Sequence, residues 1–261
     1  MTAAQGSPLI ELTGVTKHFR SGAQVLSNVS LTVYPGEFVS LIGPSGCGKS
    51  TILRLAAGLD TPSSGIVRSP ALNTRAQGTT SFVFQEATLM PWTSVFNNVW
   101  LPLRLQGLNR DESLARVNQA LKSVGLEDFA QAYPAQLSGG MKMRASIARA
   151  LITEPKILLM DEPFAALDDL SRYRLNDDLL RWQQDTSIST LFVTHNIAEA
   201  VFLSKRILVM GARPGRIVHD VAIDAPYPRS PSFRESSDFL SYCRALSSAL
   251  RQSVESGPMA I

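Results

Sequence analysis

The stretch GPSGCGKST, Gly43–Thr51, follows the short apolar run EFVSLI (Glu37–Ile42) and opens a helix-like segment, Lys49–Gly58, closed by a glycine. It fits G-x-x-x-x-G-K-[ST], and strand–loop–helix is the context in which that pattern grips phosphate. Gly46 and Gly48 let the backbone curl so that successive N–H groups point inward at phosphate oxygens. Gly43, Pro44, Ser45 and Thr51 complete the loop. The helix behind it adds roughly half a positive charge at its N-terminus. Lys49 is placed to bridge the outer phosphates, and the Ser50 hydroxyl to ligate Mg²⁺. Cys47 reads as a small residue tolerated in the loop, not as a nucleophile. These features predict a nucleotide site.

Working outward, Leu9–Val15 and Val25–Val33 read as strands separated by the turn-prone SGA at Ser21–Ala23. DTPSSG, Asp60–Gly65, is turn chemistry, and Ser81–Phe84 is a further short strand. From Ser94 to Leu126 apolar residues recur at helical spacing. A second amphipathic helix runs from LSGGMKMR (Leu137–Arg144) to about Ile152. Lys156–Met160 (KILLM) has the continuous apolar character of a buried parallel strand. A helix at about Leu170–Gln184, a strand at Ile188–Val193 and a helix at Ile197–Leu203 follow. Arg206–Met210 and Arg216–Ile223 close the sheet around the turn ARPG. Strands alternating with helices predict an α/β core with a mostly parallel sheet. On this reading residues 8–224 form a single domain, with an inserted helical subdomain at about 94–152. Residues 225–261 are a Pro/Ser-rich linker and one helix, Phe233–Gln252.

Bulk composition is ordinary for a globular chain of 261 residues, with 44% hydrophobic and 18% charged residues. The net charge of +3, from 25 basic and 22 acidic residues with no basic run, gives no reason to expect nucleic acid as a partner. A disulfide at Cys47 would tie up the loop, so the two cysteines favour reduced thiols and a cytosolic setting. No apolar run approaches the ~20 residues that span a bilayer, and MTAAQGSPLIEL lacks the pattern of a signal peptide. Any membrane role is expected to come through a partner.

ILLMDEP places Asp161 and Glu162 at the end of an apolar strand, where α/β sheets put their ligands. Asp161 suits the Mg²⁺ shell, as in P-loop NTPases, and Glu162 suits a general base for the attacking water. The competing reading is that DEP only caps the next segment. Gln85, after the strand SFVF, can reach metal or water from a loop. His195 follows the strand TLFVT and so shares a strand end with the other candidates, unlike His18 and His219.

Together these motifs resemble the ATP-binding subunit of an ATP-binding cassette (ABC) transporter. The elements stand in family order from Ile10 to Ile223: Phe19, the phosphate loop, Gln85, LSGG, ILLMDEP, ALD (Ala166–Asp168) and His195. The resemblance implies a P-loop NTPase core with an antiparallel β N-terminal part, binding ATP with Mg²⁺. It also implies two cassettes packed head to tail, with Ser138, Gly139 and Gly140 of one contacting the γ-phosphate held by the other. By the same resemblance Phe19 stacks on adenine, with plain core packing as the alternative, and Asp168 makes contacts across the dimer. Met141 departs from the family, in which many members carry glutamine there.

QEATLMPWTSVFNNV (Gln85–Val99), LNDDLL (Leu175–Leu180) and GARPGRI (Gly211–Ile217) resemble the nitrate, sulfonate and taurine importers in particular. Met90, Pro91 and Trp92 would then receive a short helix from a membrane permease, or else be subdomain core. The expectation is a peripheral subunit on the cytoplasmic face of the membrane, a homodimer served indirectly by a solute-binding protein. The alternative is a non-transport ABC ATPase, for example of the iron–sulfur assembly type. Long coiled-coil insertions, which DNA-associated members carry, are absent.

Overall fold

Strands that are apolar along their whole length have to be covered on both faces. In the computed structural model, which describes residues 6–19, 22–73 and 78–255, four such strands form the centre of one sheet. They are β3 (Phe38–Ile42), β6 (Ile157–Asp161), β7 (Ser189–Val193) and β8 (Arg206–Met210). With β5 (Thr80–Val83) and β9 (Ile217–Ala222) they run in the order β5-β6-β7-β3-β8-β9, parallel throughout except for the β8–β9 hairpin. In register, Leu41 and Asp161 both lie beside Val193, and Ile42 beside Val209. The C-terminal ends of these strands therefore finish along one edge, from which the phosphate loop, Glu162, His195 and the 211–215 turn all leave.

The period-2 alternation of a strand divides the core. Val39, Leu41, Leu159, Leu191, Val193 and Leu208 face α1 (Lys49–Ala56) and a second, three-stranded sheet. Phe38, Ile42, Leu158, Met160, Phe192 and Val209 face the helices α5 (Asp169–Thr186), α6 (Ile197–Leu203) and α7 (Ser237–Glu255). The three-stranded sheet is antiparallel, ordered β2-β1-β4 from β1 (Ile10–His18), β2 (Gln24–Val33) and β4 (Ser64–Arg68). Ser21 of the expected SGA turn lies outside the described residues.

β4 corrects the sequence reading, which took Asp60–Gly65 as turn and no strand after it. Only Val67 is partly buried against the core, and Ile66 is 53% exposed, so five residues carry too little alternation to mark a strand. Gly65 sits at φ +89°, and a Cβ there would lie 2.5 Å from the Gly14 carbonyl oxygen. Glycine is what allows β4 to pair this closely with β1.

The expected helical block resolves into α2 (Val95–Leu105), α3 (Arg110–Ser123) and α4 (Gly139–Leu151), which pack on one another. Ser94 caps α2 by accepting from Asn97 N–H at 3.3 Å, and Asn109 with Glu112 forms a capping box on α3. The C-terminal helix starts later than expected. Ser236 interrupts the run, its Oγ donating to Phe233 O at 2.7 Å and accepting from Phe239 N–H at 3.1 Å, so that α7 starts at Ser237 after a 3₁₀ turn at Pro231–Glu235. That tail is tied to the α5–α6 layer by Arg234, which pairs with Asp177 at 2.9 Å, and by buried Arg229, which donates to Phe202 O at 3.1 Å. Burial draws the Arg229 guanidinium down to about 10.

Candidate active site

The phosphate loop is shaped by glycines its own surroundings demand. Gly46 and Gly48 hold φ +74° and +101°, and a Cβ on Gly48 would lie 2.5 Å from Leu26 Cδ2. Lys49, at the start of α1 and only 6% exposed, donates from Nζ to the carbonyls of Gly43 (2.9 Å) and Pro44 (3.0 Å). Those two bonds hold its ammonium over the loop with one of its three donors to spare. Cys47 is buried with its Sγ 3.9 Å from Met210 Sδ, and burial raises its thiol, so it is an inert packing group.

Ser50 Oγ donates to Asp161 Oδ1 at 3.0 Å, joining the loop to the end of β6. Burial pushes the Asp161 carboxyl above its ordinary range, partly offset by the Ser50 bond and reinforced by the neighbouring Glu162 charge. Glu162 follows at φ +46°, a left-handed conformation that is costly for a side chain of this size, with its N–H donating to Val193 O at 2.9 Å. Such outliers gather where geometry serves chemistry. From that position its Oε2 lies 2.9 Å from His195 Nδ1. An ionised carboxylate only accepts, so Nδ1 carries the proton of this bond.

A cavity of ≈ 480 Å³ opens over these groups and is lined by Ser45, Gly46, Gly48, Lys49, Ser50, Thr51 and Glu162. Phe19, 45% exposed, lines it with Ala23–Val25, and its N–H donates to Ala23 O at 3.0 Å. The half-open ring and the polar cradle thus share one chamber of nucleotide size.

Other expected site residues lie apart from it. Gln85 is exposed just beyond β5, at the same sheet edge but outside the cavity wall. Ser138 caps α4, accepting from Met141 N–H at 3.3 Å, and faces solvent with Gly139. Beside them Asp168 caps α5 through Ser171 N–H at 2.9 Å, a bond that holds its carboxyl below the ordinary range. Met90, Pro91 and Trp92 form a loop on the helical layer. Buried Asn98 fixes it, accepting from Met90 N–H at 2.7 Å and donating to Met90 O at 3.1 Å, and Trp92 is left 75% exposed.

Three arginines went unnoticed in the sequence. Arg149 donates to Ala87 O and Thr88 O, holding the loop after Gln85. Arg172 donates to Leu167 O at 2.8 Å and pairs with Glu199 at 3.3 Å, and Glu199 accepts from Thr194 beside His195. Arg213 reaches into the cavity from the ARPG turn. Only the last stood in a segment already singled out, and there it read as turn chemistry.

The model of the ABC transporter family matches residues 26–165. The chain is 40% identical to the nitrate import ATP-binding protein NrtD of Synechocystis sp. over 93% of its own length and 95% of that protein's. It is 46% identical to the aliphatic sulfonates import ATP-binding protein SsuB 2 of Pseudomonas syringae pv. tomato, over 80% and 85% respectively. Among solved structures it resembles the dimeric ATP-binding cassette MJ0796 bound to ADP and Pi, with TM-score 0.73 and 33% identity over 83% of this chain and all of that one. CbiO1 of Clostridium perfringens, part of a CbiONQ transporter complex, superimposes with TM-score 0.76 at 25% identity, covering 94% and 96%. The chain belongs to the ABC transporter family, as one of its ATP-hydrolysing cassettes.

Proposed function

We propose that the chain is the ATP-hydrolysing subunit of an importer for a small anionic solute of the nitrate or sulfonate kind. ATP lies in the cavity with its adenine on Phe19 and its phosphates in the Gly43–Thr51 cradle. Ser50 and Asp161 are hard oxygen donors already 3.0 Å apart, a pairing that suits Mg²⁺, and Gln85 would complete the protein's share of that shell. Bound there, the ion neutralises charge on the phosphates. Glu162 takes a proton from the attacking water, and His195 fixes that carboxylate through Nδ1.

The loop LSGG carries the second half of this reading. A Cβ on Gly139 would meet nothing nearer than Leu167 Cδ2 at 3.6 Å, and one on Gly140 nothing nearer than Ser171 at 3.9 Å. Neither glycine is required inside the chain, and each costs helix propensity of up to about 1 kcal/mol against alanine. The observation points outward, to a ligand that approaches the backbone from another molecule. That ligand is the γ-phosphate held by a second copy, which Ser138, Gly139 and Gly140 contact at the N-terminus of α4. Asp168, exposed beside them, lies in the same interface.

Coupling to transport is assigned to the Met90–Trp92 loop. A tryptophan 75% exposed on a loop that Asn98 fixes presents an apolar side chain in a set position, and a short permease helix is the partner assigned to it. No helix among the described residues is long and apolar enough to cross a membrane, and the pathway is assigned to a separate permease. The subunit then sits on the cytoplasmic face, with a solute-binding protein acting on the far side. Affinity capture from detergent-solubilised native membranes tests this. A polytopic membrane protein in near-stoichiometric yield, lost on Trp92→Ala, is the expected result. A purely soluble partner set would overturn the importer reading while leaving the ATPase chemistry intact.

A further inference from the structure

The turn between β8 and β9 lies directly on the phosphate loop. Gly211 N–H donates to Arg216 O at 2.9 Å, closing the hairpin. Gly215 N–H donates to Val25 O at 2.8 Å, and Ser27 N–H to Gly215 O at 2.9 Å, so β2 grips the turn from one side. On the other side Gly215 packs against the Cys47 carbonyl so tightly that a Cβ there would clash with its oxygen at 1.8 Å. The turn is therefore fixed to the cradle at its backbone.

Its one cationic side chain that lines the cavity follows from that placement. Arg213 Nε donates to Gly46 O at 3.1 Å, and its guanidinium lies against the open face of Gly46, where any Cβ would collide with it. It lines the cavity with Lys49 and Ser45, and among the described residues no carboxylate pairs with it. One donor of five is used on Gly46, which leaves the terminal nitrogens free in a chamber built for a polyanion. An unpaired guanidinium beside a phosphate cradle is a planar donor suited to phosphate oxygens.

We propose that Arg213 is a further nucleotide-binding residue, donating from its terminal nitrogens to the phosphates of the ATP bound by its own subunit. The assignment rests on the reading of the cavity as the nucleotide site. It makes Arg213 a second phosphate-directed cation beside Lys49, anchored by Gly46 so that little rotamer freedom is lost on binding.

The test is titration calorimetry of the full chain, as wild type, Arg213→Ala and Arg213→Lys, with ATP, and with inorganic pyrophosphate and adenosine as competitors. ATP and pyrophosphate are expected to bind Arg213→Ala about tenfold more weakly, about 1.4 kcal/mol, with adenosine unchanged and Arg213→Lys recovering part of the loss. Unchanged ATP affinity in Arg213→Ala would overturn the proposal. So would an equal loss for adenosine, which marks a turn that only shapes the pocket. A wild-type chain that binds no ATP would instead overturn the nucleotide reading of the cavity, and this assignment with it.

Discussion

In the phosphate loop, Gly48 holds φ +101° and a Cβ there would lie 2.5 Å from Leu26 Cδ2, whereas at the helical positions Gly139 and Gly140 a Cβ would come no nearer to a neighbour than 3.6 and 3.9 Å. Both segments are glycine-rich and both open a helix. In the first, glycine is demanded by the chain's own packing and backbone. In the second, neither packing nor a left-handed backbone calls for glycine, and the proposed function places the requirement outside the chain. On the proposed function, the contrast separates a loop that completes itself from a loop that waits for a ligand carried by another molecule.

The largest effect expected concerns the chemistry that lies between the two. Glu162→Gln keeps the shape of the side chain and removes the base, so turnover should fall by roughly 10²–10⁴-fold while calorimetry still finds ATP bound. Normal phosphate release in that variant would take Glu162 out of the base role.

Next come the two loops set against each other. Gly140→Ala should lose hydrolysis by at least about tenfold, the equivalent of one lost phosphate contact. Its melting temperature should stay level or rise by a degree or so, because alanine is the better helix former. Gly48→Ala should instead lower the melting temperature by roughly 2–8 °C, from the left-handed conformation it forces on a Cβ. If both variants lose stability alike, glycine in LSGG is a matter of internal packing and the contrast fails.

The smallest effect is electrostatic. Folding raises the Asp161 carboxyl above its unfolded value, so the folded state binds the extra proton. Its contribution is favourable at low pH and is lost as pH rises through the raised folded value. Asp161→Asn should therefore raise the melting temperature of the nucleotide-free chain by roughly 1–3 °C near neutral pH. The gain should shrink toward pH ~4, the ordinary carboxylate range. A gain independent of pH would place the effect elsewhere than in the buried charge.

The sequence made the parts of the site legible where one short segment carries both structure and chemistry. GPSGCGKST follows a buried strand, ILLMDEP ends one, and LSGG caps a helix with Ser138, so each could be placed from neighbours a few residues away. The His195–Glu162 bond at 2.9 Å was legible only as a shared strand end, since register along the sheet is what brings the two together. What escaped depends on partners far along the chain. Arg213 meets Gly46 across 167 positions, and Arg172 joins Leu167 to Glu199 on a separate helix. β4 was missed for another reason, because a short strand with one partly buried residue, Val67, leaves no periodic mark.

The most direct test of the account is the mass of the ATP-bound particle, by light scattering, for Glu162→Gln alone and combined with Ser138→Arg. Glu162→Gln should double in mass when ATP is added, and the combined variant should bind ATP yet stay at the mass of one chain. A combined variant that still doubles in mass with ATP would contradict the claim that LSGG serves the nucleotide of a second copy.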